Sequence, residues 1–169
     1  MIEERRKDIR FPVMRNVGEP IVLKVAIDHK ILSLPGFILN LSAGGMKIVT
    51  LGSQVSQLKE GIPFDLDLKI PNLSTHHIEG KIVRIKKGDK AKLHHSNDEW
   101  FLGLLFTKIK STVAHEINRM AEDWSVCETK IQMSLPDICF RECSYWDLCE
   151  KNVKLPEEKN ARQNKAAQR

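Results

Sequence analysis

Six short runs of apolar and β-branched residues, separated by turn-forming residues, dominate the sequence between residues 20 and 106. The run Phe64–Ile70 shows the pattern most clearly, because apolar and polar residues alternate along its whole length. Alternation of this kind is typical of a strand with one face in the core and the other in water. The sequence therefore predicts a small antiparallel sheet or barrel. Its candidate strands are Ile21–Ile27, Phe37–Leu41, Gly45–Thr50, Phe64–Ile70, Ile78–Lys86 and Trp100–Phe106.

Turns and one helix complete the predicted secondary structure. Clusters of Gly, Pro, Asn and Asp indicate turns between the strands. A helix is predicted from Thr112 to Ser125, with Ser111 or Thr112 as its N-cap. Val113, Ile117, Met120 and Trp124 form one stripe on this helix, so we expect it to pack on the barrel. The predicted turns are Leu34–Gly36, Ala43–Gly45, Lys59–Gly61, Pro71–Asn72 and Lys87–Asp89.

The length of 169 residues suits one domain and a small appendage. Residues 1–19 are predicted to form a flexible basic arm, and residues 20–126 a β-barrel followed by the helix. Residues 127–152 contain all four cysteines and are predicted to bind a metal. Residues 153–169 are rich in charged and polar residues, which predicts a disordered tail.

Composition also limits the compartment and the partners. The charged start and the lack of a continuous apolar stretch argue against a signal peptide and against membrane insertion, so we expect a cytoplasmic protein. The net charge of +5 is spread among mixed signs, with local excesses in the tail and in the loop after Arg84. A single basic stripe would be expected of a nucleic-acid-binding protein, so that function is disfavoured.

Two short motifs carry the functional prediction. The first is the run Arg5-Arg6-Lys7-Asp8-Ile9-Arg10, in which clustered guanidinium groups can grip phosphates or bond purine edges. The second is Asn40-Leu41-Ser42-Ala43-Gly44-Gly45, at the end of a strand. Alternate residues of a strand share a face, so the side chains of Asn40 and Ser42 can point to the same ligand. Gly44 and Gly45 are expected to allow a tight turn and a close backbone approach.

Together these motifs resemble the signature of the bacterial PilZ domain family. The spacing Arg6-x3-Arg10 corresponds to its RxxxR, and Asn40-x-Ser42-x2-Gly45 to its [D/N]xSxxG. The sequence Gly103-Leu104-Leu105-Phe106 is similar to the Gly-x-x-Phe of its last strand. The resemblance covers residues 4–124 and implies a mostly β fold, a six-stranded antiparallel barrel followed by a C-terminal helix. The cysteine-rich appendix lies outside it.

The resemblance further implies a receptor for cyclic di-GMP. Arg6 and Arg10 would contact the guanine bases and phosphates, and Asn40, Ser42, Gly44 and Gly45 would hold the other side of the ligand. Arg5 would be an accessory contact of the kind associated with two ligand molecules per chain. A receptor of this family would signal to a protein partner in motility, biofilm or secretion control. The alternative is a PilZ-like interaction module that works without nucleotide, and a metal-dependent nucleic-acid adaptor is a third hypothesis.

No residue pattern indicates an enzyme. Ser42 lacks neighbouring His and Asp residues in the sequence that would activate it as a nucleophile. We therefore expect a binding protein rather than a catalyst.

The cysteines Cys127, Cys139, Cys143 and Cys149 fall within a short segment. A reducing cytoplasm disfavours disulfides, so metal ligation is the favoured interpretation. Four thiolates suit either a tetrahedral Zn site or a [4Fe-4S] cluster, and one isolated cysteine followed by three close ones favours iron–sulfur slightly. Buried apolar thiols and a purely structural zinc site are the alternatives.

Overall fold

The computed structural model describes residues 8–13, 20–69, 74–88, 99–135, 143, 145 and 149. In this part of the chain, seven strands precede one long helix. Arg5, Arg6, Cys139 and the predicted tail lie outside the described residues. The strands are β1 (Phe11–Pro12), β2 (Ile21–Ile27), β3 (Lys30–Ser42), β4 (Gly45–Leu51), β5 (Pro63–Leu68), β6 (His76–Lys87) and β7 (Glu99–Lys108), and a short 3-10 helix spans Ser53–Gln57.

The sheet closes into a six-stranded antiparallel barrel with one extra strand. Strands pair in the order β3-β2-β5-β6-β7-β4, and β4 pairs with β3 to complete the circle. The extra strand β1 pairs antiparallel with the other end of β3. Closure leaves no exposed edge among the six barrel strands, which protects the sheet from pairing with other chains. The predicted fold class is confirmed.

Alternating strand residues fill the barrel interior. Along β5, Phe64, Leu66 and Leu68 are buried, while Asp65 and Asp67 are exposed, as the sequence pattern predicts. Equivalent inward positions on the other strands complete one continuous core, which includes Leu23, Leu41, Ile48, Ile82 and Leu102. Burial of these side chains is the main source of the barrel's stability.

Strand β3 is longer than predicted, and the turn predicted at Leu34–Gly36 is wrong. Pro35 and Gly36 lie within β3, where the strand changes partner from β2 to β4. The hairpin instead turns at Asp28 and His29, whose φ angles are 47° and 63°. Asp and His tolerate this left-handed conformation better than most residues, and a two-residue turn of this hand matches the twist of paired strands.

The C-terminal helix α1 spans Ser111–Gln132, well beyond the predicted end at Ser125. Lys110 is its N-cap and makes no side-chain capping bond, so the predicted cap at Ser111 or Thr112 is wrong. Val113, Ile117 and Met120 are buried against the core, as expected, and α1 packs on β1 and β3. Cys127 therefore lies within α1. None of the helices in the described ranges has the length and apolar character needed to cross a membrane.

Candidate ligand-binding site

The register between β1 and β3 brings the two sequence motifs side by side. Phe11 pairs with Leu41 and Pro12 with Asn40. The same register continued by one residue places Arg10 opposite Ser42. The chain follows this course as far as Asp8, because a Cβ atom built on Gly44 would lie 2.5 Å from the Asp8 carboxylate oxygen Oδ2. The N-terminal motif thus runs antiparallel along the end of β3.

The side chains of this pair of strands divide between two faces. Phe11 and Leu41 are buried in the barrel core. Successive strand residues point to opposite faces, so Asn40 and Ser42 lie on the outer face. Arg10 directly precedes the buried Phe11 and is placed on the same outer face. Arg10 is exposed, Asn40 is half-buried and Ser42 is 7% exposed. One outer surface therefore carries a guanidinium group, an amide and a hydroxyl from three separate positions in the sequence.

The turn from β3 to β4 is held by short polar contacts. The Ser42 hydroxyl donates to the Gly45 carbonyl over 3.0 Å. The backbone N–H of Phe106 donates to the Gly44 carbonyl over 2.9 Å, which ties the turn to β7. Buried polar groups with partners of this kind are favourable, whereas unpaired ones are costly. Ser42 thus stabilises the turn, as well as lying on the candidate binding surface.

Gly44 and Gly45 differ in what an added methyl group would meet. Positive φ angles among described glycines occur at Gly52 and Gly61, so neither Gly44 nor Gly45 needs the left-handed region. A Cβ atom at Gly45 would lie 2.2 Å from the Leu104 carbonyl oxygen, closer than real Cβ atoms come. At Gly44 the nearest atom belongs to the flexible Asp8 side chain. Gly45 is therefore a packing requirement of the barrel, whereas Gly44 leaves room for the N-terminal arm.

A row of basic side chains extends the surface across the barrel, and the sequence motifs did not indicate it. Asn40 pairs with Lys47 on β4, Lys47 with Gly103 on β7, and Gly103 with Arg84 on β6. Lys47 and Arg84 are both exposed on this outer face. The Lys47 ammonium group lies 4.9 Å from the centre of the Phe101 ring, a cation–π distance. Only strand register, which a single sequence does not give, brings these residues together.

The match to known proteins agrees with this architecture. Residues 4–123 match the family model described as "PilZ domain". The chain belongs to the PilZ family. No curated protein matches the chain.

Two solved structures illustrate the shared fold. The PilZ domain of YcgR from Escherichia coli, solved with c-di-GMP, is 17% identical, with a TM-score of 0.53 over 78% of this chain and 98% of that one. MrkH of K. pneumonia, solved in complex with c-di-GMP, is 14% identical, with a TM-score of 0.52. That match covers 76% of this chain and 56% of MrkH, so this chain spans little more than half of MrkH. At these identities the likeness shows the fold alone.

The cysteines lie beyond the PilZ match, and the described ones divide into two groups. Cys127 on α1 and Cys143 carry free thiols. Burial raises the pKa of the Cys127 thiol, and the neighbouring Cys143 adds to the increase. Cys149 is likewise in no disulfide, and its backbone forms an antiparallel β-bridge with Val13, next to β1. Within the described residues, no three His, Cys, Asp or Glu side chains are grouped to hold a metal ion. The predicted four-cysteine metal site is therefore not assembled by Cys127, Cys143 and Cys149.

Proposed function

We propose that this PilZ protein is a cytoplasmic receptor for cyclic di-GMP and not an enzyme. The observations that support it best are the register of Phe11 and Pro12 with Leu41 and Asn40, and the approach of Asp8 to Gly44. A ligand on the outer face of β3 would meet residues of both motifs at once. The c-di-GMP complexes of YcgR and MrkH support the choice of ligand.

Chemistry assigns complementary roles to the two motifs. Cyclic di-GMP carries two phosphate charges and two guanine bases. The guanidinium groups of Arg6 and Arg10, with Arg5 as an accessory, would hold phosphates and guanine edges through paired hydrogen bonds. Asn40 and Ser42 would bond the ligand from β3, close to the backbone at Gly44 and Gly45. Arg5 also supports a stoichiometry of two ligand molecules per chain.

The proposed signal is a rearrangement of the N-terminal arm. Arginines that repel one another in the empty protein would close over the dianionic ligand, and a protein partner in motility, biofilm or secretion control would recognise the closed form. Binding can shift this equilibrium only by the difference in affinity between the open and the closed arm. The alternative is an interaction module that binds its partner without nucleotide.

Calorimetric titration with cyclic di-GMP tests the receptor function. We expect the Arg6→Ala/Arg10→Ala variant to bind on the order of 1,000-fold more weakly than wild type, because each of the two lost charged contacts costs about 2 kcal/mol or more. The matched control is Lys24→Ala/Lys59→Ala, which removes the same charge from exposed positions elsewhere on the barrel. Equal affinity of wild type and arginine variant would refute the site. A folded wild type without affinity would favour the nucleotide-independent module.

A metal or redox input through the cysteines is a separate part of the proposal. The clustering of all four cysteines between residues 127 and 149 supports it. Thiolates of Cys127, Cys139, Cys143 and Cys149 would suit zinc or an iron–sulfur cluster, and Cys149 would have to leave its place beside Val13 to join Cys127 and Cys143. Metal analysis of anaerobically purified protein tests this. A colourless, metal-free and fully folded protein would refute it.

A further inference from the structure

Strand β1 connects the ligand arginines to the rest of the molecule, and its pairing is short. It has two residues, Phe11 and Pro12, and its first residue directly follows Arg10. Pro12 has no N–H, but it pairs with Asn40 at a position that donates no bond to β3, because the neighbouring Val13 N–H points there instead. One additional backbone bond, from the Val13 N–H to the Leu39 carbonyl over 2.9 Å, extends the pairing. So short a ladder is marginal by itself, and β1 needs other contacts to keep its register.

Those contacts come from Tyr145 and Cys149, which follow α1 in the sequence. Cys149 forms an antiparallel bridge with Val13 on the side of β1 away from β3. The Tyr145 ring meets the buried Phe11 ring edge to face, with centroids 5.9 Å apart and planes at 67°. The Cys149 N–H donates to the Tyr145 carbonyl over 2.9 Å, so these two residues belong to one turn. We call Tyr145 and Cys149 the β1 clamp.

The β1 clamp is packed into the fold rather than resting on its surface. Tyr145 and Cys149 both pack against the core cluster that contains Phe11 and Val13. Burial raises the pKa of the Tyr145 hydroxyl, and the nearby Arg119 on α1 opposes the increase. The core cluster against which Tyr145 packs contains Phe11 of β1 and Val113 and Ile117 of α1. An aromatic pair of this geometry contributes beyond the area it buries.

We infer that the β1 clamp positions Arg10 for the ligand. The docking of Tyr145 and Cys149 on β1 and the affinity for cyclic di-GMP are therefore coupled. The inference rests on the proposed function. Adjacent Cα atoms are about 3.8 Å apart along a rigid peptide, so a shift of Phe11 moves Arg10 with it. Release of Tyr145 and Cys149 would let β1 leave its register with Asn40 and Leu41. By linkage, the ligand must in turn stabilise the docked clamp.

The first test removes the ring of Tyr145. We expect Tyr145→Ala to bind cyclic di-GMP on the order of tenfold more weakly, within the usual range of such couplings. Tyr145→Phe keeps the contact with Phe11 and should retain wild-type affinity. Ile62→Ala is the control for lost packing, because Ile62 is a half-buried core neighbour outside β1 and the clamp. Affinity of Tyr145→Ala within twofold of wild type, in a protein whose barrel is folded by circular dichroism, would overturn the inference.

A double-mutant cycle separates positioning from general structural damage. If Tyr145 acts through Arg10, the variant Arg10→Ala/Tyr145→Ala should bind little more weakly than Arg10→Ala alone. Additive losses of affinity would show that Tyr145 acts independently of Arg10. That result would contradict the proposal that Tyr145 acts by positioning Arg10, even if Tyr145→Ala weakened binding.

The reciprocal test compares wild-type protein with and without ligand, so its main result does not depend on the folding of a variant. Saturating cyclic di-GMP should slow the alkylation of Cys149 by iodoacetamide on the order of tenfold, measured by peptide mass spectrometry. Arg10→Ala protein at the same ligand concentration should show no such protection. Ligand binding by calorimetry with an unchanged Cys149 rate would overturn the inference alone. Absence of any binding would overturn the proposed function and the inference together.

Discussion

The substitution Gly45→Ala should destabilise the barrel strongly, although it adds only one methyl group. The new Cβ atom would lie 2.2 Å from the Leu104 carbonyl oxygen and 3.2 Å from its carbonyl carbon. Both atoms belong to the backbone of β7, so no side chain can rotate away. Strands β4 and β7 would have to separate by roughly 1 Å at this point, to reach an ordinary contact distance.

The cost of that separation follows from the contacts it disturbs. Forcing an extra methyl group into a packed site costs about 1–3 kcal/mol. The paired residues Gly45 and Leu105 begin the β4–β7 ladder, and weakening a ladder hydrogen bond adds about 1 kcal/mol. We therefore expect the free energy of unfolding to fall by about 3 kcal/mol. With slopes of about 1–3 kcal/mol per molar urea, the unfolding midpoint should drop by about 1–3 M.

The neighbouring glycine supplies a matched control for urea unfolding. Gly44→Ala adds the same methyl group one residue earlier, but there it meets the flexible Asp8 carboxylate, which can move. We expect Gly44→Ala to change the free energy of unfolding by less than about 0.5 kcal/mol. If the two variants unfolded within about 1 kcal/mol of each other, the close approach of Gly45 to β7 would be refuted.

Two further predictions concern charge and titration. Asp8→Asn should strengthen cyclic di-GMP binding by about threefold in calorimetry, because a carboxylate beside Gly44 repels a single phosphate charge of the ligand by about 0.6 kcal/mol at about 7 Å in water. Unchanged or weaker binding, with the distant hairpin variant Asp28→Asn as control, would contradict this. Alkylation of Cys127 should require a higher pH in the folded protein than in urea, because burial and Cys143 raise its pKa. The raised pKa also means that the stability from protonated Cys127 is present below the ordinary thiol pKa and is lost as the pH rises through the raised value. Equal midpoint pH values for alkylation of Cys127 in the folded and unfolded chains would count against its burial.

The period-two pattern of apolar residues predicted most of the barrel, because a strand that is buried on one face has an apolar residue at every second position. Strand β2 matches its predicted bounds, Ile21–Ile27. The pattern failed at β3, where Pro35-Gly36 suggested a turn. In a closed barrel a strand can change partners, and the missing N–H of a proline is tolerated at such a point. The true turn at Asp28-His29 lacks glycine and gave no comparable signal.

The candidate site could be predicted only in part. The motifs identified Arg10, Asn40 and Ser42 as residue types suited to a nucleotide, but their adjacency depends on the register of β1 with β3. Register over long sequence separations is set by packing of the whole barrel, which a single sequence does not display. For the same reason, the basic row through Lys47 and Arg84 did not emerge from the sequence. The contact of Tyr145 with Phe11 was equally inaccessible.

Amide chemical-shift mapping with cyclic di-GMP tests the central claim most directly, because it reports both binding and place. In isotopically labelled wild-type protein, the largest shifts should fall at Arg10, Asn40 and Ser42 and at the turn Gly44–Gly45. Residues on the opposite part of the barrel, such as Asp67 on β5, should change little. Shifts centred on β5, or no shifts at saturating ligand, would contradict the assignment of a cyclic di-GMP site to β1 and the end of β3.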